Sequence, residues 1–231
     1  MNMNRLALTL VILAVTSACG STVAGGNEGG QLAPSAASSP SVAATPTLVA
    51  TPGTTATYSA LVLPSLMPTP TEIGGWQTAT RPDLTGPYTP TNNTNPGERP
   101  TVVTGGFIAG QRMTIGAPGS PGINVVRVTA EVFDSPASAD AALQAYESAF
   151  IQLGYVTPAM TSGLPTTASG MLATNGFIAP QFAMGVAQKV YVFAWTRANL
   201  VLVVRAGGDS AATNADAVRW ASIVDSKVPN A

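Results

Sequence analysis

The chain has 231 residues, of which 45% are hydrophobic and only 9% are charged, and its formal net charge is −1. It has no histidine and one cysteine, which excludes histidine-dependent catalytic triads and zinc sites, and also an internal disulfide framework. Its ten basic residues are scattered, whereas nucleic-acid binding needs clustered ones. We therefore expect no nucleic-acid partner, no metal and no cofactor.

The N-terminus has the pattern of an export signal. Arg5 supplies a positive charge, and the apolar run Leu6–Val15 follows it. A membrane-spanning helix needs about 20 apolar residues. This run is half that length and fits the hydrophobic region of a signal peptide.

Small residues, Thr16, Ser17 and Ala18, precede the only cysteine, Cys19. They resemble the lipobox of bacterial lipoproteins, in which the peptide is cut before a cysteine that carries lipid. The resemblance implies a signal peptide over residues 1–18, lipid attachment at Cys19, and an exported protein anchored to a membrane on its extracytoplasmic side. Thr16 departs from the leucine usual in that family, so ordinary cleavage after Ala18, leaving a free thiol, is the alternative.

A linker is predicted from residue 19 to residue 57. Gly20–Thr57 contains no aromatic residue and one charged residue, Glu28, among Gly, Ser, Thr, Ala and Pro. Such a composition buries too little apolar area to offset the entropy of ordering. We predict a disordered tether, followed by one globular domain over residues 58–231.

The globular domain is predicted to be α+β, an antiparallel sheet with two main helices packed on it. Residues 81–100 are predicted to form a loop. The predicted elements are a strand within Thr101–Ile115, a strand over Ile123–Phe133, a helix that begins at Ser135-Pro136 and stops at Gly154, one or two short strands within Tyr155–Gly185, a hairpin of Val190–Thr196 and Leu200–Ala206, and a helix from about Ser210 to Lys227.

The strand over Ile123–Phe133 alternates between valine or alanine and polar residues. This period of two is typical of a strand with one buried face. We therefore expect Arg127, Thr129 and Glu131 to face solvent, and Glu131→Gln to change the stability little.

An aromatic stripe, Tyr191, Phe193 and Trp195, lies on one face of the first hairpin strand, and the other face is also apolar. Apolar residues on both faces indicate a central strand. The stripe is predicted to be core beneath a helix; the alternative is the lining of a pocket for a lipid or another hydrophobic ligand.

Four arginines, Arg112, Arg127, Arg197 and Arg205, lie on predicted strands. They would converge on an anionic ligand if those strands were neighbours. Solvated strand faces are the preferred interpretation, because charged side chains commonly occupy them.

Catalytic candidates are few. Glu131, Asp134 and Asp140 could supply a carboxylate pair for glycoside hydrolysis, but a strand-to-helix turn and a helix N-terminus explain the two aspartates equally well. A serine–lysine dyad would need Lys189 or Lys227, and no motif accompanies either lysine. We predict that the chain is not an enzyme and assign no catalytic, cofactor-binding or metal-binding residue.

The segment Glu72–Trp76, the strand leading into Ser135–Ala142 and the hairpin turn near Asn199 are similar to those of uncharacterised extracytoplasmic bacterial lipoproteins, some of them PsbP-like. The resemblance implies an exported α+β domain and no site residues. The leading hypothesis is a non-catalytic binding domain or accessory of an envelope complex, held to the membrane by lipid, with an envelope protein as candidate partner. The alternatives are a lipoprotein that binds a small hydrophobic ligand or lipid, and an envelope hydrolase.

Overall fold

The computed structural model describes residues 57–91, 105–157, 159–176 and 187–229. All of them fall within the second of two units into which the chain divides, Ala50–Ala231. The predicted signal peptide, Cys19 and all of the predicted linker except Thr57 lie outside the described residues.

The described residues form an antiparallel sheet of seven strands with three α-helices, which confirms the predicted α+β class. The sheet order is β1-β3-β4-β7-β6-β5, and β2 also pairs with β3. The strands are β1 Gln77–Thr78, β2 Gly86–Tyr88, β3 Phe107–Gly116, β4 Ile123–Phe133, β5 Ser169–Gly176, β6 Ala187–Arg197 and β7 Leu200–Gly208. The helices are α1 Pro70–Ile73, α2 Pro136–Gln152 and α3 Asn214–Asp225, and a 3₁₀ helix spans Ala60–Leu66. Within the described ranges, none of the helices has the length and hydropathy of a membrane span.

Local sequence signals explain where the main helices begin. The Ser135 hydroxyl accepts a hydrogen bond from the backbone N–H of Ser138, and Pro136 occupies the first turn of α2. Thr213 caps α3 in the same way, accepting from the N–H of Asp216. Both caps satisfy backbone donors that a helix N-terminus leaves unpaired.

One face of the sheet packs against α3 and the 3₁₀ helix. Tyr191, Phe193 and Trp195 lie in this layer with exposed fractions of 7%, 0% and 0%, together with Trp220 of α3. The Trp195 indole N–H donates to the Asp225 carboxylate at 3.0 Å, so its polar atom is satisfied. The prediction that the aromatic stripe is core beneath a helix is confirmed.

The opposite face is covered in two parts. The side chains of Leu143, Tyr146 and Phe150 on α2 pack against β6 and β7. Residues 79–88, which we call the covering segment, lie over β3 and β4, where the Thr114 hydroxyl donates to the Leu84 carbonyl at 2.8 Å. β4 is therefore covered on both faces.

Double coverage overturns one expectation from the sequence. Arg127 and Glu131 were predicted to face solvent, but their exposed fractions are 2% and 0%, and that of Arg112 is 4%. The alternation in β4 does separate two faces, but the covering segment and α2 bury the polar one. The predicted loop over residues 81–100 is wrong for residues 86–88, which form β2.

Candidate functional site

Charged side chains from three neighbouring strands meet on the α2 face of the sheet. Arg127 of β4 lies directly opposite Arg205 of β7, and Thr129 of β4 lies opposite Arg112 of β3. Glu131 is two residues further along β4. Because directly opposed residues project to the same face and β-strand side chains alternate, all five side chains share one face.

The cover over this face is incomplete at its middle. Thr129 lies at the centre of an interior strand, yet it is only half-buried, and so is Arg205. The opening lies between α2 on one side and the covering segment on the other. We call it the arginine cleft and define it by Arg112, Arg127, Thr129, Glu131 and Arg205.

Tyr88 of the covering segment forms one wall of the cleft. Its ring lies against Gly110, where a Cβ atom would overlap the ring, so a glycine is required at that position. Its hydroxyl donates to Glu131 Oε1 at 2.8 Å, and its ring stacks on Phe107 with centroids 5.9 Å apart. These contacts fix the ring beside the buried carboxylate.

Contacts with the covering segment position two guanidinium groups. That of Arg112 lies 4.4 Å from the centroid of the Tyr88 ring, a distance that gives a cation–π interaction. Arg127 Nη2 donates to the backbone carbonyl of Asp83 at 3.2 Å. The Asp83 carboxylate itself accepts from the Arg81 guanidinium at 2.7 Å.

The third guanidinium group is held on the α2 side. Arg205 Nη2 donates to the Tyr155 hydroxyl at 3.3 Å, and the guanidinium lies 5.7 Å from the centroid of the Phe150 ring. The Phe150 and Tyr155 rings contact each other edge to face at 5.2 Å. The cleft thus has aromatic groups on both walls and guanidinium groups on its floor.

The arrangement is suited to binding an anion. Arg112, Arg127 and Arg205 are positive and Glu131 is negative, so these four residues carry a formal charge of +2. Each of these four residues also makes a further contact within the protein, so none of them lacks a partner. Guanidinium groups match carboxylate and phosphate oxygens in paired hydrogen bonds.

The fourth predicted arginine lies elsewhere. Arg197 Nη2 pairs with the Asp225 carboxylate at 2.8 Å, and hydrogen bonding to Asp225 raises the pKa of Arg197. The structure therefore brings together three of the four arginines. The preferred interpretation, solvated strand faces, is wrong for Arg112 and Arg127, because the covering segment and α2 pack over them.

The candidate carboxylates occupy different environments. Glu131 is fully buried in the cleft, whereas Asp134, which precedes the Ser135 cap of α2, and Asp140, within α2, are exposed. Hydrogen bonds from Ser138 and Ser135 lower the pKa of Asp134. Asp140 accepts from the Thr196 hydroxyl at 3.1 Å.

Each of the two lysines donates a hydrogen bond to a backbone carbonyl. Lys189 Nζ donates to the Ala212 carbonyl at 3.0 Å, and Lys227 Nζ donates to the Met67 carbonyl at 3.0 Å. Lys227 also pairs with the Glu72 carboxylate at 2.7 Å. Each lysine thus fastens a connecting segment to the domain.

Two further grooves lie elsewhere on the described surface. One, of about 440 Å³, is lined by Tyr58 and the Arg197–Asp225 pair. The other, of about 360 Å³, is lined by Trp76, Trp220 and charged side chains. Neither is lined by the aromatic stripe of β6.

Sequence reasoning missed Tyr88, Asp83 and Tyr155 as walls of the cleft. The covering segment comes from a predicted loop, and nothing local in a loop shows which strand it will cover. One signal was present: Gly110 lies inside a strand, and a glycine there often marks the close approach of another group. Tyr88 is that group.

No protein-family model matches the chain, and no curated protein matches it either. Among solved structures, the chain is similar to the extracellular domain of PknH from Mycobacterium tuberculosis. The TM-score is 0.49 and the sequence identity is 16%, over 75% of this chain and 98% of that domain. Similarity at this level assigns the chain to no family and transfers no site residue.

Proposed function

We propose that this chain is a lipid-anchored extracytoplasmic binding domain that catalyses no reaction and takes its ligand in the arginine cleft. One observation carries the proposal: Arg127 and Arg205 oppose each other beside a half-buried Thr129 at the middle of the sheet. Elsewhere this face is packed with apolar side chains. A charged opening in such a layer costs stability, and functional sites commonly carry such a cost.

The chemistry of the cleft favours binding over catalysis. Arginine stays protonated in proteins and does not act as a general base. Glycoside hydrolysis needs two carboxyl groups across the substrate, and Glu131 is the single carboxylate among the residues that define the cleft. The envelope-hydrolase alternative therefore has little support from this site.

The hydrophobic-ligand alternative depended on the aromatic stripe lining a cavity. Trp195 and Phe193 are instead fully buried beneath α3. A ligand-binding pocket of that kind typically measures 300–1,000 Å³ and presents its apolar lining to the ligand. A polar cleft on the other face is the better supported binding site.

The proposed location rests on the N-terminal sequence. The apolar run, the small residues ahead of Cys19 and the linker of small and polar residues after it are the pattern of an exported lipoprotein. A flexible linker of 38 residues spans roughly 30–40 Å on average. That length lets a domain stand clear of the membrane that holds it.

Anchoring is tested by expressing the full chain in a bacterium that processes lipoproteins. We expect intact-mass measurement of membrane-extracted protein to show a chain that begins at Cys19 and carries acyl groups. Cys19→Ser should move the protein out of the membrane fraction without changing its melting temperature. A chain that starts elsewhere, or carries no acyl mass, refutes the anchor.

Ligand binding is tested by thermal shift of the full chain carrying Cys19→Ser against a panel of anionic, zwitterionic and neutral small molecules. A compound that binds the cleft should raise the melting temperature, because ligand binding stabilises the folded state. Thr129→Leu fills the opening and should abolish that rise. Thr174→Leu, at an exposed threonine of the edge strand β5, is the matched control. If no compound acts in a Thr129-dependent way, the cleft is not a binding site.

A further inference from the structure

We infer that a groove between α1 and α3 binds a neutral saccharide, one ring of which stacks on Trp76. The groove measures about 360 Å³, within the range of about 300–1,000 Å³ that is typical of ligand sites. We call it the tryptophan groove and define it by Glu72, Trp76, Asp216, Arg219 and Trp220. It is a second site, on the α3 face of the sheet, and it does not depend on ligand binding in the arginine cleft on the opposite face.

The two tryptophans form the apolar part of the groove. Their ring centroids are 5.0 Å apart, and the rings are tilted by 51°. Trp220 is 8% exposed and belongs to the core between the sheet and α3, whereas Trp76 is only half-buried. The Trp76 ring is thus held against the core by one neighbour while part of it stays open to a ligand.

The wall that carries Trp76 is ordered before any ligand arrives. The backbone N–H of Trp76 donates to the Ile73 carbonyl at 3.0 Å. Helix α1 is fixed by the Thr69 capping box and by the ion pair of Glu72 with Lys227 at 2.7 Å. A site that is already ordered loses less entropy when it binds a ligand.

The charge of the groove favours a neutral ligand. Glu72 is paired with Lys227. Asp216 and Arg219 are both exposed and carry opposite charges. These four residues therefore have a formal charge of zero. A cation or an anion would meet one like charge for each opposite one and would gain no net attraction.

A saccharide matches both the apolar and the polar part of the groove. The C–H groups on one face of a sugar ring pack against the negative face of an aromatic ring. The sugar hydroxyls donate to carboxylates such as those of Glu72 and Asp216 and accept from a guanidinium group such as that of Arg219. Within the described part of the chain, the Arg219 guanidinium makes no hydrogen bond or ion pair, so its donors face water. A purely apolar ligand would desolvate these groups without replacing their hydrogen bonds.

Isothermal titration of the full chain carrying Cys19→Ser with neutral trisaccharides is the test. The panel contains trisaccharides of glucose, mannose, galactose, arabinose and N-acetylglucosamine. We expect at least one of them to bind saturably, with a dissociation constant below about 10 mM, and to change the tryptophan fluorescence. Because neither partner carries a net charge, the affinity should change less than about twofold between about 0.05 and 0.5 M NaCl.

Variants of the lining residues assign the binding to the groove. Trp76→Ala removes the stacking surface and should weaken binding at least about tenfold. Trp76→Phe keeps a smaller ring and should weaken it about threefold, which keeps the inference testable if Trp76→Ala does not fold. Arg219→Gln removes an exposed charged donor and should weaken binding about three- to tenfold. Arg81→Gln, at an exposed arginine of the covering segment, is the matched control and should leave binding unchanged.

Three outcomes overturn the inference. The first is that no saccharide of the panel binds saturably up to about 10 mM. The second is an affinity that falls more than about tenfold over the salt range, which indicates an ionic contact. The third is an affinity that neither the Trp76 variants nor Arg219→Gln change.

Two other ligand classes are distinguished by the same titration, a polyproline peptide and the tetramethylammonium cation, since both bind to tryptophan side chains. If either of them binds in a Trp76-dependent way and no saccharide does, the groove takes that class and the saccharide assignment falls. The test of the arginine cleft depends on Thr129, on the other face of the sheet, so the proposed function stands or falls separately.

Discussion

Replacing Glu131 by glutamine tests whether its buried carboxylate offsets the guanidinium groups around it. The side chain has an exposed fraction of 0% and accepts a hydrogen bond from the Tyr88 hydroxyl at 2.8 Å. Glutamine keeps the shape and one acceptor oxygen but removes the charge. The four charged residues of the cleft then carry a formal +3 instead of +2.

The expected cost follows from these contacts. A hydrogen bond to a charged group contributes about 1.5–3 kcal/mol, and this carboxylate also lies on the same face as Arg112 and Arg127. We expect Glu131→Gln to lower the free energy of unfolding by about 1.5–3 kcal/mol. For a domain of this size that corresponds to a fall in melting temperature of about 3–12 °C.

Chemical denaturation of the full chain carrying Cys19→Ser is the assay, with Asp140→Asn as the control. Asp140 also accepts a hydrogen bond from a hydroxyl group, that of Thr196, but it is exposed. Its neutralisation should therefore lower the free energy of unfolding by less than about 0.5 kcal/mol. A double-mutant cycle with Tyr88→Phe should give a coupling energy of at least about 0.5 kcal/mol. A Glu131→Gln variant as stable as the parent refutes the reasoning, because the negative charge of Glu131 would then contribute nothing to the stability of this face.

Two further predictions concern packing and pH. Phe150→Ala and Trp220→Ala remove side chains that are 6% and 8% exposed on opposite faces of the sheet. Each should cost about 3–5 kcal/mol by denaturation, and tolerance of both would contradict the two-layer packing. Hydrogen bonds from Ser138 and Ser135 lower the pKa of Asp134, so its contribution to stability is present above the ordinary value of 3.8 and is lost as the pH falls through the lowered pKa. Ser138→Ala should raise that pKa towards 3.8 in an NMR titration, and an unchanged titration would show that Ser138 does not stabilise the carboxylate.

Local pattern predicted much of the fold. The strand over Ile123–Phe133 has the predicted bounds, and α2 begins at Pro136 behind its serine cap as expected. The hairpin of β6 and β7 turns at Ala198-Asn199, inside the predicted three-residue turn. These features depend on neighbours in sequence, such as alternation, capping and short turns, so a single sequence contains the information that specifies them.

The sequence allowed the placement of the arginines to be predicted in part, but not their burial. It predicted that the four arginines would converge if their strands were neighbours. The strands of three of them, β3, β4 and β7, are neighbours in the sheet. Their burial was not foreseen, because it depends on contacts from Tyr88 and Asp83, which belong to a segment that is separate in sequence from β3 and β4. Period-two alternation shows that a strand has two different faces; it does not show what packs on the polar one.

Asn199, at the turn of the β6–β7 hairpin, has a mechanical consequence. Its side chain accepts from the Tyr58 N–H at 2.6 Å and donates both to the Tyr58 carbonyl, at 2.9 Å, and to the Phe133 carbonyl, at 2.7 Å. A pull on the N-terminal side, as the proposed anchor would deliver, therefore reaches the domain at Tyr58, which this buried amide holds and whose hydroxyl also donates to the Pro229 carbonyl. From there the load is shared between the end of β4 and the hairpin, which are interior parts of the sheet, so no edge strand has to be peeled away first. Asn199→Ala should thus lower the unfolding force measured by pulling from the N-terminus far more than that measured by pulling through two points on α2.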